Sequence, residues 1–262
     1  MDIKRDSPYS IFKKVRAYFF FLLNSKNRHG VHSPFVFDFI QNVLLKHATI
    51  KEIEIERAKL KKDDSFIDFK DSGQRNDRNS SISTIAKKSL KRPKEAAIIA
   101  QIANHYKVDK VIEMGTSLGI TTAYIAKRNP LITIQTIESN KEVLALAKKK
   151  WEALSISNIE SYHSLFDEIL PVLIEDITNS CLFFIDGNHR YEATKAHFNQ
   201  IAEKSNDQTI MIFDDIHWSK GMEEAWKEIL QDDRISLSID LFEFGILFFN
   251  LRLQKEHFII RY

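Results

Sequence analysis

Val111-Ile-Glu-Met-Gly-Thr-Ser-Leu-Gly-Ile-Thr-Thr122 decides the fold, together with Glu138, which stands nineteen residues beyond the second glycine of that stretch. An apolar strand, Lys110–Glu113, runs into Gly115 and Gly119 and then into a helix, and the next strand ends on an acid. The two glycines let the backbone turn tightly and approach a ligand. The helix that follows begins with N–H groups that have no partner inside the helix. A carboxylate at the tip of the second strand can accept both hydroxyls of a ribose. The spacing Glu-x-Gly-x-x-x-Gly differs from the Gly-x-Gly-x-x-Gly of dinucleotide enzymes, so a nicotinamide dehydrogenase is disfavoured.

Outward from this stretch, strands and helices alternate. Strands are expected at Lys110–Glu113, Ile132–Glu138, Ile159–Tyr162, Leu182–Asp186 and Thr209–Asp214. Helices are expected near Thr121–Arg128, Lys141–Ala153, Leu165–Asp176 and Glu192–Lys204. Such alternation predicts a parallel sheet with helices on both faces. A further helix after Asp215 carries Met222, Ala225, Trp226, Ile229 and Leu230 on one core-facing stripe. The chain closes with β-rich segments at Ile235–Leu241, Gly245–Asn250 and His257–Arg261; either of the last two could supply the second strand of a closing hairpin.

With 262 residues and 44% hydrophobic content, the chain can bury one good core and an accessory region. A net charge of +2 is too small to imply a polyanionic partner for the whole molecule. The single cysteine, Cys181, excludes an internal disulfide and suits a reducing compartment. The apolar run Tyr18–Leu23 is too short to span a bilayer and lacks a cleavage site of small residues, so a cytoplasmic protein is expected. The first ninety residues differ in character: Tyr9–Asn24 is basic and aromatic, Ser33–Leu45 apolar, Thr49–Lys62 a charged helix and Lys70–Ser83 a polar loop. A basic amphipathic helix can lie on an anionic membrane. It can equally pack over a catalytic domain with its lysines in water, and this plainer reading is the one adopted here. Arg28-His-Gly-Val-His-Ser-Pro-Phe35 is expected to turn into the next helix, because two histidines without a third ligand rarely hold a metal.

Two later blocks carry chemistry. Phe184-Ile-Asp-Gly-Asn-His-Arg-Tyr191 and Ile212-Phe-Asp-Asp-Ile-His-Trp-Ser219 each put carboxylates where an apolar strand meets a loop. Ligands of open α/β sheets bind at the carboxyl ends of the strands, so Asp186, Asp214 and Asp215 are expected to converge there. Three close carboxylates repel one another unless a cation or a proton neutralises them, and an all-oxygen set suits Mg²⁺. The plain alternatives are that Asp186 closes a ligand pocket and that Asp214 caps a helix or turn. His189 has a side chain whose ordinary pKa suits proton abstraction near neutrality.

The glycine stretch resembles motif I of the class I S-adenosylmethionine-dependent methyltransferases, and the resemblance covers roughly Lys94 to Tyr262. It implies a Rossmann-like sheet, mostly parallel, with a closing antiparallel hairpin. It also implies cofactor contacts from Glu113, Gly115, Thr116, Ser117, Gly119, Glu138, Ser139 and Ser164. The aspartate blocks resemble those of metal-dependent O-methyltransferases of the catechol and macrolide-sugar type. There an aspartate after the fourth strand and an acidic pair after the fifth hold a divalent cation. That assigns Asp186, Asp214 and Asp215 to the metal, Mg²⁺ foremost, with Asp186 and His189 catalytic. His189 stands at the offset where the catechol branch has a lysine. Arg28–Phe35, Asp214–Ser219 and His257–Arg261 together resemble a Bacteroidetes methyltransferase family, a likeness that names no substrate.

These readings give residues 1–90 as a helical cap or lid and 91–262 as the methyltransferase domain. The expected reaction is O-methylation of a small hydroxylated molecule. A metal-independent N- or C-methyltransferase and a non-catalytic S-adenosylmethionine-binding protein remain the alternatives. Nucleic acid is not expected as a partner, since the basic residues of the catalytic half are balanced by acids. A homodimer and a peripheral membrane contact through the basic N-terminus stay open.

Overall fold

A computed structural model describes residues 5–69, 78–175, 177 and 179–262. In chain order the elements are α1 (Ile11–Asn24), α2 (Pro34–Phe39), α3 (Lys51–Leu60), β1 (Phe66–Phe69), β2 (Arg78–Ser81) and α4 (Ile82–Ser89). Then follow α5 (Pro93–His105), β3 (Lys110–Met114), α6 (Ile120–Arg128), β4 (Thr133–Glu138), α7 (Lys141–Ala153), β5 (Ile159–His163) and α8 (Phe166–Leu173). The chain continues with β6 (Cys181–Ile185), α9 (Tyr191–Lys204), β7 (Ile210–Asp214), α10 (Lys220–Ile229), β8 (Leu237–Asp240), β9 (Phe244–Phe248) and β10 (Glu256–Ile259). Two compact units result: Gln41–Val172, and Met1–Ile40 together with Leu173–Tyr262.

In the unit Gln41–Val172, β3, β4 and β5 lie side by side and parallel, with Glu113 opposite Thr136 and Glu138 opposite His163. Helix α5 has Glu95–Ala103 buried on all sides, and so has no polar stripe to betray it in the sequence. Helix α7 starts where Asn140 Oδ1 accepts the Val143 N–H at 2.9 Å. This asparagine cap is worth about 1 kcal/mol. The region 70–83 departs from the expected loop at its end. Residues 78–81 pair antiparallel with β1, and α4 begins where the Ser81 hydroxyl accepts the Thr84 N–H. Residues 70–77 lie outside the described residues.

In the other unit the strand order is β10-β8-β9-β7-β6. Strands β6 and β7 are parallel, β9 runs antiparallel to both β7 and β8, and β10 is parallel to β8. The closing hairpin is therefore β8–β9, and the last segment is a parallel edge strand. Strands β6, β7 and β9 are buried along their whole length, as a sheet covered on both faces requires. Gly245 on β9 makes room for α10: a Cβ there would stand 2.4 Å from the Trp226 ring. Cys181 opens β6 and is buried. Helix α1 packs through Phe21, whose ring meets Phe242 edge-on at 5.3 Å, while Tyr18 meets the same ring at 4.9 Å. Pairing is parallel apart from the two ladders of β9, as the Rossmann-like reading expects. No helix among the described residues is long and apolar enough to cross a membrane.

Candidate active site

The loop from β3 to α6 holds three residues in the left-handed region: Gly115 (φ +110°), Ser117 (φ +48°) and Gly119 (φ +73°). The N–H groups of Gly115 and Thr116 both reach the Ile137 carbonyl, at 3.0 and 3.1 Å, which fixes the loop against β4. Glu138 completes the cradle. One carboxylate oxygen accepts the Ser117 N–H and the other the Asn140 N–H, each at 2.9 Å. Glu138 thus holds the loop from the tip of β4, the place from which a carboxylate can accept ribose hydroxyls. Gly119 lies against Trp151, whose indole N–H donates to the Gly119 carbonyl at 2.9 Å.

Glu113 sits deeper. It is fully buried, and one of its oxygens accepts from the hydroxyls of Thr122 (2.5 Å) and Thr136 (2.6 Å). Thr116 and Thr136 share a further hydroxyl contact of 2.6 Å. Glu113 thus ties β3, β4 and α6 together beneath the loop. Ser139 is half-buried, and its carbonyl meets the His163 ring. Ser164 donates to Glu168 in the first turn of α8.

In the other unit, the carboxyl ends of β6 and β7 bring Asp186, His189 and Asp214 together, with one ligand atom from each within 4.8 Å of the others. This differs in one member from the expected trio of Asp186, Asp214 and Asp215. Asp214 is the last residue of β7, and side chains alternate faces along a strand. Asp215 follows at φ +53°, donates its N–H to the Glu243 carbonyl and borders the group through its carboxylate. His189 takes the third place instead, its Nε2 3.7 Å from Asp186 Oδ1 and 3.9 Å from Asp215 Oδ2. The turn that carries it includes Asn188 at φ +51°. The ring of Trp218 stands 5.8 Å from that of His189. Two carboxylates and an imidazole at this separation suit a divalent cation, with the nitrogen extending the range from Mg²⁺ toward Mn²⁺ and Zn²⁺. His29 and His32 join no such group among the described residues.

A chain of polar groups near this loop escaped the sequence. His217 is held between Asp240 (2.8 Å) and Glu223 (3.3 Å), and Glu223 also accepts from the Tyr9 hydroxyl at 2.8 Å. Burial pulls the His217 pKa down, but the bonds to Asp240 and Glu223 outweigh it and raise the value to about 9. These residues line a cavity of about 600 Å³ together with Phe20 and Trp226. Nothing local announces the network, because Tyr9 and Glu223 are 214 positions apart.

The methyltransferase-domain family model matches residues 112–216, which span the glycine loop, Glu138 and the Asp186–His189–Asp214 group. That stretch is similar to a methyltransferase domain. No curated protein matches the chain in sequence. Solved methyltransferases share its fold at low identity. The S-adenosylhomocysteine-bound methyltransferase PaMTH1 of Podospora anserina superposes with a TM-score of 0.60 at 10% identity, covering 93% of this chain and 97% of its own. The O-methyltransferase TomG of Streptomyces achromogenes, in complex with S-adenosylmethionine and involved in tomaymycin synthesis, gives 0.58 at 14% over 78% of this chain and 91% of its own. A Bacillus cereus O-methyltransferase with S-adenosylhomocysteine gives 0.55 at 15%, over 81% and 96%. The fold is thus one that solved methyltransferases also adopt.

Proposed function

We propose that this methyltransferase moves the methyl group of S-adenosylmethionine to a hydroxyl of a small molecule, assisted by a divalent cation at Asp186, His189 and Asp214. The observation that carries the reading is the convergence of those three side chains at the strand ends of a methyltransferase domain. When bound, the cofactor supplies the methyl group, and the cation lowers the pKa of the acceptor hydroxyl and orients it. Glu138 is placed to hold the ribose, and the backbone of Gly115–Gly119 to border the cofactor. The Trp218 ring beside His189 walls the acceptor side. Methyl transfer is a direct displacement, so positioning the acceptor oxygen supplies most of the rate. In a second reading His189 takes the acceptor proton itself, oriented by the carboxylates of Asp186 and Asp215 on either hand.

Calorimetric titration with S-adenosylhomocysteine, and separately with Mg²⁺ and Mn²⁺, tests both. Micromolar cofactor affinity, on the order of −8 kcal/mol, is expected. Heat from the cation should vanish in Asp214→Asn. Methyl transfer to a panel of catechols and hydroxylated sugars should fall with EDTA if the cation is required, and persist in EDTA but fail in His189→Ala if the histidine alone is the base. Absence of cofactor binding would refute the proposal.

A further inference from the structure

Helix α1 turns an apolar face outward. Ile11, Phe12, Val15, Phe19 and Leu23 are 59 to 84% exposed, and their i, i+4, i+8, i+12 spacing with Phe12 alongside puts them on one stripe. Phe21 is buried, and Ala17 and Leu22 are half-buried. The segment itself is cationic. From Ser7 to Phe37 the chain has Lys13, Lys14, Arg16, Lys26 and Arg28 and no acidic residue. Lys13 and Arg16 also line the cavity that α1 shares with α10, where Lys220 and Lys227 are matched in number by Glu223 and Asp240, leaving the two α1 cations in excess.

From this geometry we infer that α1 docks the protein onto the surface of a bilayer bearing anionic lipids. At 14 residues the helix is about 21 Å long, too short to span and long enough to lie in the interface. Phe12, Phe19 and Leu23 enter the boundary between headgroups and chains, and the flanking lysines and arginines meet the headgroup charge. Charge decides between this occupant and a second copy of the chain. A two-fold interface places the same patch against itself, so five cations would face five cations. An anionic surface neutralises them. The inference is independent of the reaction proposed above and survives if that reaction is wrong.

Co-sedimentation of the full chain with vesicles tests it. Vesicles of phosphatidylcholine containing phosphatidylglycerol should bind at least tenfold more protein than phosphatidylcholine alone, and binding should fall as salt is raised. Phe12→Glu with Phe19→Glu should abolish binding while leaving the circular dichroism and thermal midpoint unchanged, since both side chains are exposed. Replacing Lys13, Lys14 and Arg16 by alanine should weaken binding about fivefold for each charge removed. Equal binding to neutral and anionic vesicles, binding to neither, or full binding by the double glutamate variant would overturn the inference. So would a concentration-dependent dimer in sedimentation velocity that the double glutamate variant dissolves, which would assign the face to a second copy.

Discussion

Replacing Gly119 by alanine attacks the cofactor loop at its tightest point. Gly119 sits at φ +73°, where a side chain costs about 1–2 kcal/mol. The new Cβ would stand 2.7 Å from Trp151 Nε1, 2.8 Å from Ala147 Cβ and 2.9 Å from Trp151 Cε2. Trp151 cannot swing away, because it is buried and its N–H is bonded to the Gly119 carbonyl. Overpacking of this kind costs about 1–3 kcal/mol, and loss of the Trp151 bond adds about 1 kcal/mol. The total is roughly 3–6 kcal/mol, a large share of the stability of an ordinary domain. Urea unfolding followed by circular dichroism reads it as a fall in midpoint at unchanged slope. Gly119→Asn separates the two causes. Asparagine tolerates a positive φ better than alanine, yet its Cβ meets the same ring, so it should cost at least as much. A loss below about 1 kcal/mol in Gly119→Ala, or recovery of stability in Gly119→Asn, would refute the close approach of Trp151 to the loop.

Glu138→Ala removes the acceptor of two backbone N–H groups. It should cost about 1–3 kcal/mol in urea unfolding and at least tenfold in S-adenosylhomocysteine affinity by calorimetry, with Glu138→Gln recovering part of the stability. Glu56 accepts from Lys59 and from Lys150, and the bond to Lys59 does most to hold its carboxyl below the ordinary 4.5 against the opposing effect of burial. A depressed folded-state pKa stabilises above the unfolded value and is lost as pH falls through the folded one. The stability gap between the native chain and Glu56→Gln should accordingly be full at pH 7 and shrink progressively below pH 4.5.

The sequence carried the sheet well because burial writes itself into composition. Strands β6 and β7 read as unbroken apolar runs, and the glycines at 115 and 119 with Glu138 marked the loop from β3 to α6. Helix α7 matched its expected bounds because an asparagine cap, an amphipathic stripe and a terminal turn agree there. Residues 78–81 were misread because their pairing with β1 draws on backbone bonds, and Arg-Asn-Ser-Ser has no strand-like pattern. At the candidate site the identities of Asp186, His189, Asp214 and Asp215 were legible, but not their grouping. Adjacent aspartates look equivalent in a string, whereas in the fold Asp214 is buried and Asp215 borders the group at φ +53°. Glu223 and Asp240 were illegible because they matter only through contacts made across most of the chain.

The same long reach has a consequence for synthesis. Arg5 and Tyr9 bond to Glu224 and Glu223, 219 and 214 positions later. At the usual 5–20 residues per second, about 10–40 s separate the emergence of these partners from the ribosome. The unit Gln41–Val172 is drawn from one continuous stretch and can gather its own core within that interval. Helix α1 leaves long before its anchors do, so nascent chains go through a waiting period with an oily cationic segment on display. Folding is therefore most vulnerable to premature association at helix α1, and a holdase that shields this helix should raise the yield of native chains more than one acting on the unit Gln41–Val172.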